Sequence, residues 1–144
     1  MIHGIHHTAL STPDLDRLVE FYCGAFQMKV EFVFPWDESN EKFRESHGVG
    51  DTRGRVAMIS NGSSRLEIFE YAKPAPRRDH APRMNADLGI SHFCVQVSDL
   101  AKEVERLRGL GMTFLSGVVD QTPTISMVYG RDPDGNLIEL IEYR

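Results

Sequence analysis

Apolar and polar positions along the chain trace one pattern twice. Residues 4–11, GIHHTALS, predict a strand, and Thr12 and Pro13 stand where a helix N-cap and first helical residue are expected. Leu15, Leu18, Val19, Tyr22 and Phe26 recur at helical spacing and make one apolar stripe. Residues 28–34, MKVEFVF, predict a strand with Lys29 and Glu31 on one face. Residues 55–60 and 64–71 flank Asn61-Gly62, a dipeptide suited to a tight hairpin turn. Pro74, Pro76 and Pro82 then make residues 72–88 an extended connector, because proline is excluded from helix interiors. The pattern restarts with a strand at 90–97, Ser98 as helix cap, and Leu100, Val104 and Leu107 on one helical face. The helix ends near Gly109 and Gly111, and strands follow at 112–116, 124–129 and 137–143. Asp132-Pro133-Asp134-Gly135 forms the turn before the last strand.

Each half therefore reads as strand, helix, three strands. The expected fold is α+β: two βαβββ modules whose curved mixed sheets together form a metal-binding cleft. The first module spans 1–71 with an inserted loop at about 35–54, the connector spans 72–88, and the second module spans 89–144.

Direct comparison of the halves supports a duplication. His7 and His92 are each followed seven residues later by Asp-Leu, at Asp14-Leu15 and Asp99-Leu100. The closing strands LEIFEY (66–71) and IELIEY (138–143) match Glu67 with Glu139, Glu70 with Glu142 and Tyr71 with Tyr143. Sixty residues separate His7 from Glu67 and 47 separate His92 from Glu139, so the first copy is 13 residues longer. The polar, charged segment 35–54 accounts for the difference. It is expected to hold one short helical turn at Glu41–Glu45, with Trp36 over the cleft mouth.

Candidate chemistry follows from which face each repeated residue occupies. Side chains alternate across a strand, so Glu67 shares a face with Phe69 and Tyr71, and Glu139 with Ile141 and Tyr143. A carboxylate among apolar side chains is costly unless it is paired or bound to a cation. His7, Glu67, His92 and Glu139 together supply two imidazoles and two carboxylates. That set suits one divalent metal ion: Ni, Co, Zn, Mn or Fe(II). Six-coordination leaves two positions for a small-molecule substrate with two chelating oxygens. Glu70 and Glu142 fall on the opposite face and read as solvated strand carboxylates. His3 and His6 read as surface or subunit-contact residues. His47, His80 and the basic stretch Arg77, Arg78 and Arg83 are further candidates for touching substrate.

Composition narrows the partners. The formal net charge is -5, which disfavours nucleic acid and anionic membrane surfaces. No run of apolar residues is long enough to span a bilayer, and the N-terminus lacks a signal-peptide pattern. Cys23 and Cys94, without a CxxC, read as two buried thiols in a reducing, cytoplasmic setting.

Four segments resemble one family: HHTALSTPDLDRLVEFY (6–22), LEIFEY (66–71), GISHFCVQVSDL (89–100) and DPDGNLIELIE (132–142). The chain is similar to the glyoxalase, bleomycin-resistance and extradiol dioxygenase superfamily, the vicinal oxygen chelate proteins. The resemblance implies two ligands per module, with His7, Glu67, His92 and Glu139 matching the four positions in order. Extradiol dioxygenases carry no ligand where Glu67 stands. Four filled positions therefore point toward the glyoxalase I and methylmalonyl-CoA epimerase branch. Ser11 and Tyr71 replace the Arg and Asn with which bacterial glyoxalase I helps bind glutathione. The stretch SSRLEIFEYAKP (63–74) resembles epimerases, and Asp51 falls near the position of their second acid/base group. The resemblance also implies a homodimer.

The expected activity is that of a divalent-metal-dependent lyase or isomerase, moving a proton next to a chelated carbonyl. Glu139 is the preferred base, and Glu67 the residue that returns the proton. The alternatives are an Fe(II)-dependent extradiol-type dioxygenase cleaving a catechol-like substrate and a non-catalytic small-molecule binding protein.

Overall fold

The structure is a computed structural model that describes residues 1–62, 64–77 and 83–144. The chain divides into two compact units, Met1–Arg78 and Asp79–Arg144. The architecture is mixed α+β, with one sheet per unit and three helices in all among the described residues. No described helix is long and apolar enough to cross a membrane.

The first unit runs β1 (Thr8–Ser11), α1 (Leu15–Phe26), β2 (Lys29–Trp36), α2 (Glu41–His47), β3 (Arg53–Asn61) and β4 (Ser64–Lys73). The sheet order is β1-β4-β3-β2, with β1 parallel to β4 and the other pairs antiparallel. Leu66 and Ile68 of β4 pair with Ile59 and Ala57 of β3, and all four are buried on the face that α1 covers. From α1 itself Leu15, Leu18, Phe21, Tyr22 and Ala25 are buried, close to the stripe expected from spacing. Asn61-Gly62 supports the β3–β4 turn with Gly62 at φ 62°, where a side chain would be strained.

The second unit runs β5 (Phe93–Gln96), α3 (Leu100–Gly109), β6 (Thr113–Phe114), β7 (Val119–Thr122), β8 (Ile125–Arg131) and β9 (Leu137–Tyr143). Its order is β5-β9-β8-β6, with β7 also paired to β8 and β5 parallel to β9. Strand β7 was not expected from the sequence. The strand expected at 112–116 stops at Phe114, and the chain rejoins β8 further along at Val119. At the 132–135 turn the buried Asp132 carboxylate accepts from the backbone of Asp134 and Asn136 and from Asn136 Nδ2. Those bonds satisfy backbone donors that the turn leaves unpaired.

Both helix caps differ from expectation, in the same way. Thr12 is buried, and its Oγ1 bonds the backbone of Asp14, so α1 begins two residues later than expected. Asp14 is the N-cap, accepting from Arg17 N–H at 3.1 Å, and Pro13 lies outside the helix. Glu70 accepts the Leu15 N–H at 3.0 Å. In the second unit Asp99, not Ser98, is the N-cap, at φ 55° and with no side-chain cap bond. Glu142 accepts the N–H groups of Asp99 (2.7 Å) and Leu100 (3.3 Å). Glu70 and Glu142 are thus not solvated spectators. Each reaches from the last strand of its unit to the helix N-terminus, where orphan N–H groups and the helix dipole favour negative charge. Arg55 also donates to Glu70 at 2.6 Å and bridges it to Asp16. That pairing raises the Arg55 pKa still further.

The insertion is shorter than 35–54, because Pro35 and Trp36 complete β2 and Arg53 and Gly54 open β3. Its one helix, α2, is capped by the Asn40 side chain. Trp36 is buried rather than standing over an opening. Its indole donates to Thr52 Oγ1 at 3.1 Å, and its ring stacks on Phe43 at 4.2 Å. Trp36, Val56 and Phe69 form a small core with Phe43 and Tyr71 packed against it.

Candidate metal-ligand pairs

Parallel pairing of the first and last strands sets the same geometry in each unit. The residue after each candidate His pairs with the residue before each candidate Glu: Thr8 with Leu66, and Phe93 with Ile138. Each His therefore lies diagonally from its Glu on one face of the sheet. That face is opposite to the one carrying Glu70 or Glu142.

The outcome is two matched pairs. His7 Nε2 stands 3.1 Å from Glu67 Oε2, and His92 Nε2 stands 3.1 Å from Glu139 Oε2. Two donors at right angles on one divalent ion, with bonds of about 2.1 Å, stand about 3 Å apart. Each pair thus has the spacing of one edge of a six-coordinate shell, and imidazole with carboxylate suits a borderline or hard cation. Among the described residues, neither unit by itself gathers three or more His, Cys, Asp or Glu in a ligand cluster.

The far nitrogen of each imidazole also has a partner, supplied by the preceding residue. His6 Nδ1 lies 2.9 Å from His7 Nδ1, and Ser91 Oγ lies 2.8 Å from His92 Nδ1. His6 is exposed, as expected, and its ring also lies against that of a candidate ligand. With Nδ1 engaged, Nε2 is the nitrogen left facing the carboxylate. The adjacency of His6 to His7 and of Ser91 to His92 was the available sequence signal.

The neighbours of the two carboxylates differ. Glu139 is 8% exposed and pairs in register with Cys94 on β5 and Tyr129 on β8. Lost hydration, then the charge on Glu139, raises the Tyr129 pKa and pushes Cys94 up to about 11. The Tyr129 ring meets His92 edge-on, with centroids 5.1 Å apart. Cys94 is solvent-accessible rather than buried as expected, while Cys23 is half-buried; both are free thiols. Glu67 pairs in register with Ala9 and Met58, neither of which can donate a hydrogen bond from its side chain. Nearby Tyr71 has its pKa raised by burial and by the charge on Glu67.

The remaining candidates fall elsewhere. Asp51 is exposed and ion-paired with Arg44 (3.3 Å) and Lys73 (3.6 Å). His47 closes α2, stacked on Phe43 at 3.8 Å and edge-on to Phe69 at 5.7 Å, which puts it on the Glu67 side of the sheet. Arg83 donates to the Leu88 carbonyl at 2.6 Å and Arg77 is exposed, while Arg78 and His80 lie outside the described residues. A surface hollow lined by Glu41, Arg44, Glu45, Gly50 and Asp51 contains none of the four candidate ligands.

Comparison with known proteins places this geometry among relatives. Residues 4–140 match the family model described as Glyoxalase/Bleomycin resistance protein/Dioxygenase superfamily. A 2-epi-5-epi-valiolone epimerase from an Actinomyces species is 35% identical over 73% of this chain and 57% of its own length. A lactoylglutathione lyase from Schizosaccharomyces pombe is 25% identical over 96% of this chain and 47% of its own length. The chain thus spans about half the length of these two curated relatives. A glyoxalase family protein from Bacillus cereus has the same fold, with a TM-score of 0.90, 23% identity and coverage of 99% of this chain and 95% of that one. The glyoxalase I of Leishmania major superposes with a TM-score of 0.68 at 23% identity, over 98% of this chain and 87% of that one.

Proposed function

Because the chain belongs to the glyoxalase/bleomycin resistance protein/dioxygenase superfamily, we propose that it is a divalent-metal-dependent lyase or isomerase that moves a proton next to a carbonyl. The observation that carries this reading is the pair of matched His–Glu contacts, each at 3.1 Å and each built from the same register. In this reading His7, Glu67, His92 and Glu139 hold one cation between them, one imidazole and one carboxylate from each unit. A divalent cation bound there supplies the positive charge that polarises a substrate carbonyl and acidifies the neighbouring C–H.

The chain's own residues do the rest. Both imidazoles present Nε2 to the site while Nδ1 is engaged by His6 or Ser91. In the two-sided form Glu139 would accept the substrate's proton while a protonated Glu67 donates its own from the other side, and the two carboxyls would exchange protons with solvent between turnovers. Return on the opposite face inverts a stereocentre, which is epimerase chemistry. Return to the neighbouring carbon is the isomerisation of a glyoxalase I.

The epimerase form is favoured by the 35% identity to the Actinomyces enzyme. It is favoured also by Ser11 and Tyr71, which stand where bacterial glyoxalase I has its glutathione-binding Arg and Asn. The test loads the protein with Ni, Co, Zn, Mn or Fe(II) in turn and incubates it in deuterated water with 2-epi-5-epi-valiolone. In parallel it is incubated with the hemithioacetal of methylglyoxal and glutathione. Metal-dependent deuterium uptake next to the carbonyl, followed by NMR, is expected. No exchange and no turnover with any metal, on either substrate, contradicts the proposal.

A further inference from the structure

His47 is the last residue of α2, and stacking fixes its place. Three rings follow one another in a column: Trp36 on Phe43 at 4.2 Å and 18°, then Phe43 on His47 at 3.8 Å and 6°. Phe69 meets the imidazole at a steep angle, with centroids 5.7 Å apart. Trp36 is buried and tied to Thr52 Oγ1 at 3.1 Å, so the column is anchored at its base. An imidazole gripped in this way holds its orientation without a ligand, and the entropy of ordering it is lost on folding rather than on binding.

Hydrogen bonding decides which ring nitrogen carries the proton. His47 Nδ1 lies 3.0 Å from the Phe43 carbonyl oxygen, which can only accept. Ser46 Oγ lies 3.0 Å from the same nitrogen but donates its one proton to that carbonyl, at 3.1 Å. Nδ1 therefore holds the hydrogen of the neutral ring, and Nε2 presents a lone pair. Among the described residues no hydrogen-bond partner meets Nε2, and His47 is exposed.

The neighbours of His47 set it on the Glu67 face of the sheet. Phe69 is two residues along β4 from Glu67, so the two share a face, with α-carbons about 7 Å apart. Antiparallel register puts Phe32 and Phe34 of β2 on that face as well, opposite Met58 and Val56, and both phenylalanines are exposed. The result is an apolar, aromatic surface beside Glu67 with one preset acceptor. Sites built in this way take orientation and specificity from their few polar groups.

We infer that His47 Nε2 is a specificity-determining acceptor. It takes a hydrogen bond from a hydroxyl group of the substrate, so the site selects carbonyl compounds hydroxylated beyond the two oxygens that chelate the ion. The inference rests on the proton-transfer reading and narrows its substrate class.

His47→Phe keeps a flat ring on Phe43 and removes the acceptor. Two probes separate its effects: scyllo-inosose, a cyclohexanone with a hydroxyl on each remaining ring carbon, and 2-hydroxycyclohexanone, which has the chelating pair of oxygens alone. Each is titrated by NMR into the zinc-loaded full chain, wild type and variant. Deuterium uptake next to the carbonyl is followed in parallel samples loaded with each metal in turn. The wild type is expected to bind the inosose more tightly than the simpler ketone. His47→Phe should weaken inosose binding about 3–10-fold, leave 2-hydroxycyclohexanone binding unchanged and keep the melting temperature. A purely structural role would weaken both ketones alike. Equal inosose affinity in the two proteins, an equal loss for both ketones, or a wild type that does not bind the inosose overturns the inference. Deuterium uptake that persists in any of those cases leaves the proton-transfer reading intact. Inosose binding that depends on His47, without deuterium uptake under any metal, supports the hydroxyl contact and overturns the proton-transfer reading instead.

Discussion

Glu67 and Glu139 occupy equivalent places in two copies of one supersecondary unit, yet they keep different company. Glu139 is buried and has a cysteine and a tyrosine as its cross-strand neighbours. Glu67 has alanine and methionine as its cross-strand neighbours. Its face is built up further along by Phe69, Tyr71 and the aromatic residues that the insertion brings. What is shared between the halves is what the backbone register dictates: the His–Glu diagonal on one face and the carboxylate at the helix N-terminus on the other. What differs is whatever a neighbouring strand or loop places beside them. Duplicated register can therefore supply a symmetric donor set, while unequal neighbours allow the two carboxylates to take unequal roles.

The largest effect expected from breaking this comparison is on turnover. Glu139→Gln should leave the fold intact by circular dichroism and lower turnover about 10²–10⁴-fold. Near-wild-type turnover with metal retained removes Glu139 as the base. Next is the aromatic core of the first unit. Trp36→Ala empties a buried site stacked on Phe43, and should cost about 3–5 kcal/mol in urea unfolding. A loss below about 1 kcal/mol would show that the insertion packs loosely on its sheet.

The helix caps sharpen the comparison from the side that the two units share. Glu70→Ala and Glu142→Ala should each cost about 1–2 kcal/mol, since each strips N–H groups at a helix start of their acceptor. Glu70 also anchors Arg55, so its loss should be the greater of the two. The reverse order would mean that the Arg55 bridge is spent mostly in solvent. The smallest effect is chemical. With its pKa pushed up to about 11 from an ordinary 9.0, Cys94 should hold about fiftyfold less thiolate at pH 9 than an unperturbed thiol. Alkylation of Cys94 by iodoacetamide, mapped by mass spectrometry, should be correspondingly slow and should speed up in Glu139→Gln.

Much of this was legible in the sequence. Strand and helix order followed from periodicity, and the opposite faces of Glu67 and Glu70, and of Glu139 and Glu142, followed from alternation along β4 and β9. The helix caps were misread because Thr12 and Ser98 satisfy a local rule. The acceptors used include Glu70 and Glu142, which are 55 and 42 residues from the N–H groups of Leu15 and Leu100. Strand β7 was missed because its residues, Val119–Thr122, are all exposed and carry no apolar alternation. The partners of Glu139 were hidden for a similar reason. Which residue faces a carboxylate across an antiparallel pair depends on register, and register between β8 and β9 is set by the 132–135 turn rather than by composition. His6 and Ser91 were in plain view beside their histidines, but nothing in residue type alone says that a neighbour's side chain turns back onto a ring nitrogen.

The central claim is that both His–Glu pairs serve a single ion. Metal stoichiometry tests it most directly, with nickel titrated calorimetrically into the wild type and into Glu67→Ala and Glu139→Ala. One ion per chain is predicted for the wild type, with that same binding event lost or severely weakened by either substitution. Two independent ions per chain, or a variant that keeps full affinity after losing one pair's carboxylate, would contradict it.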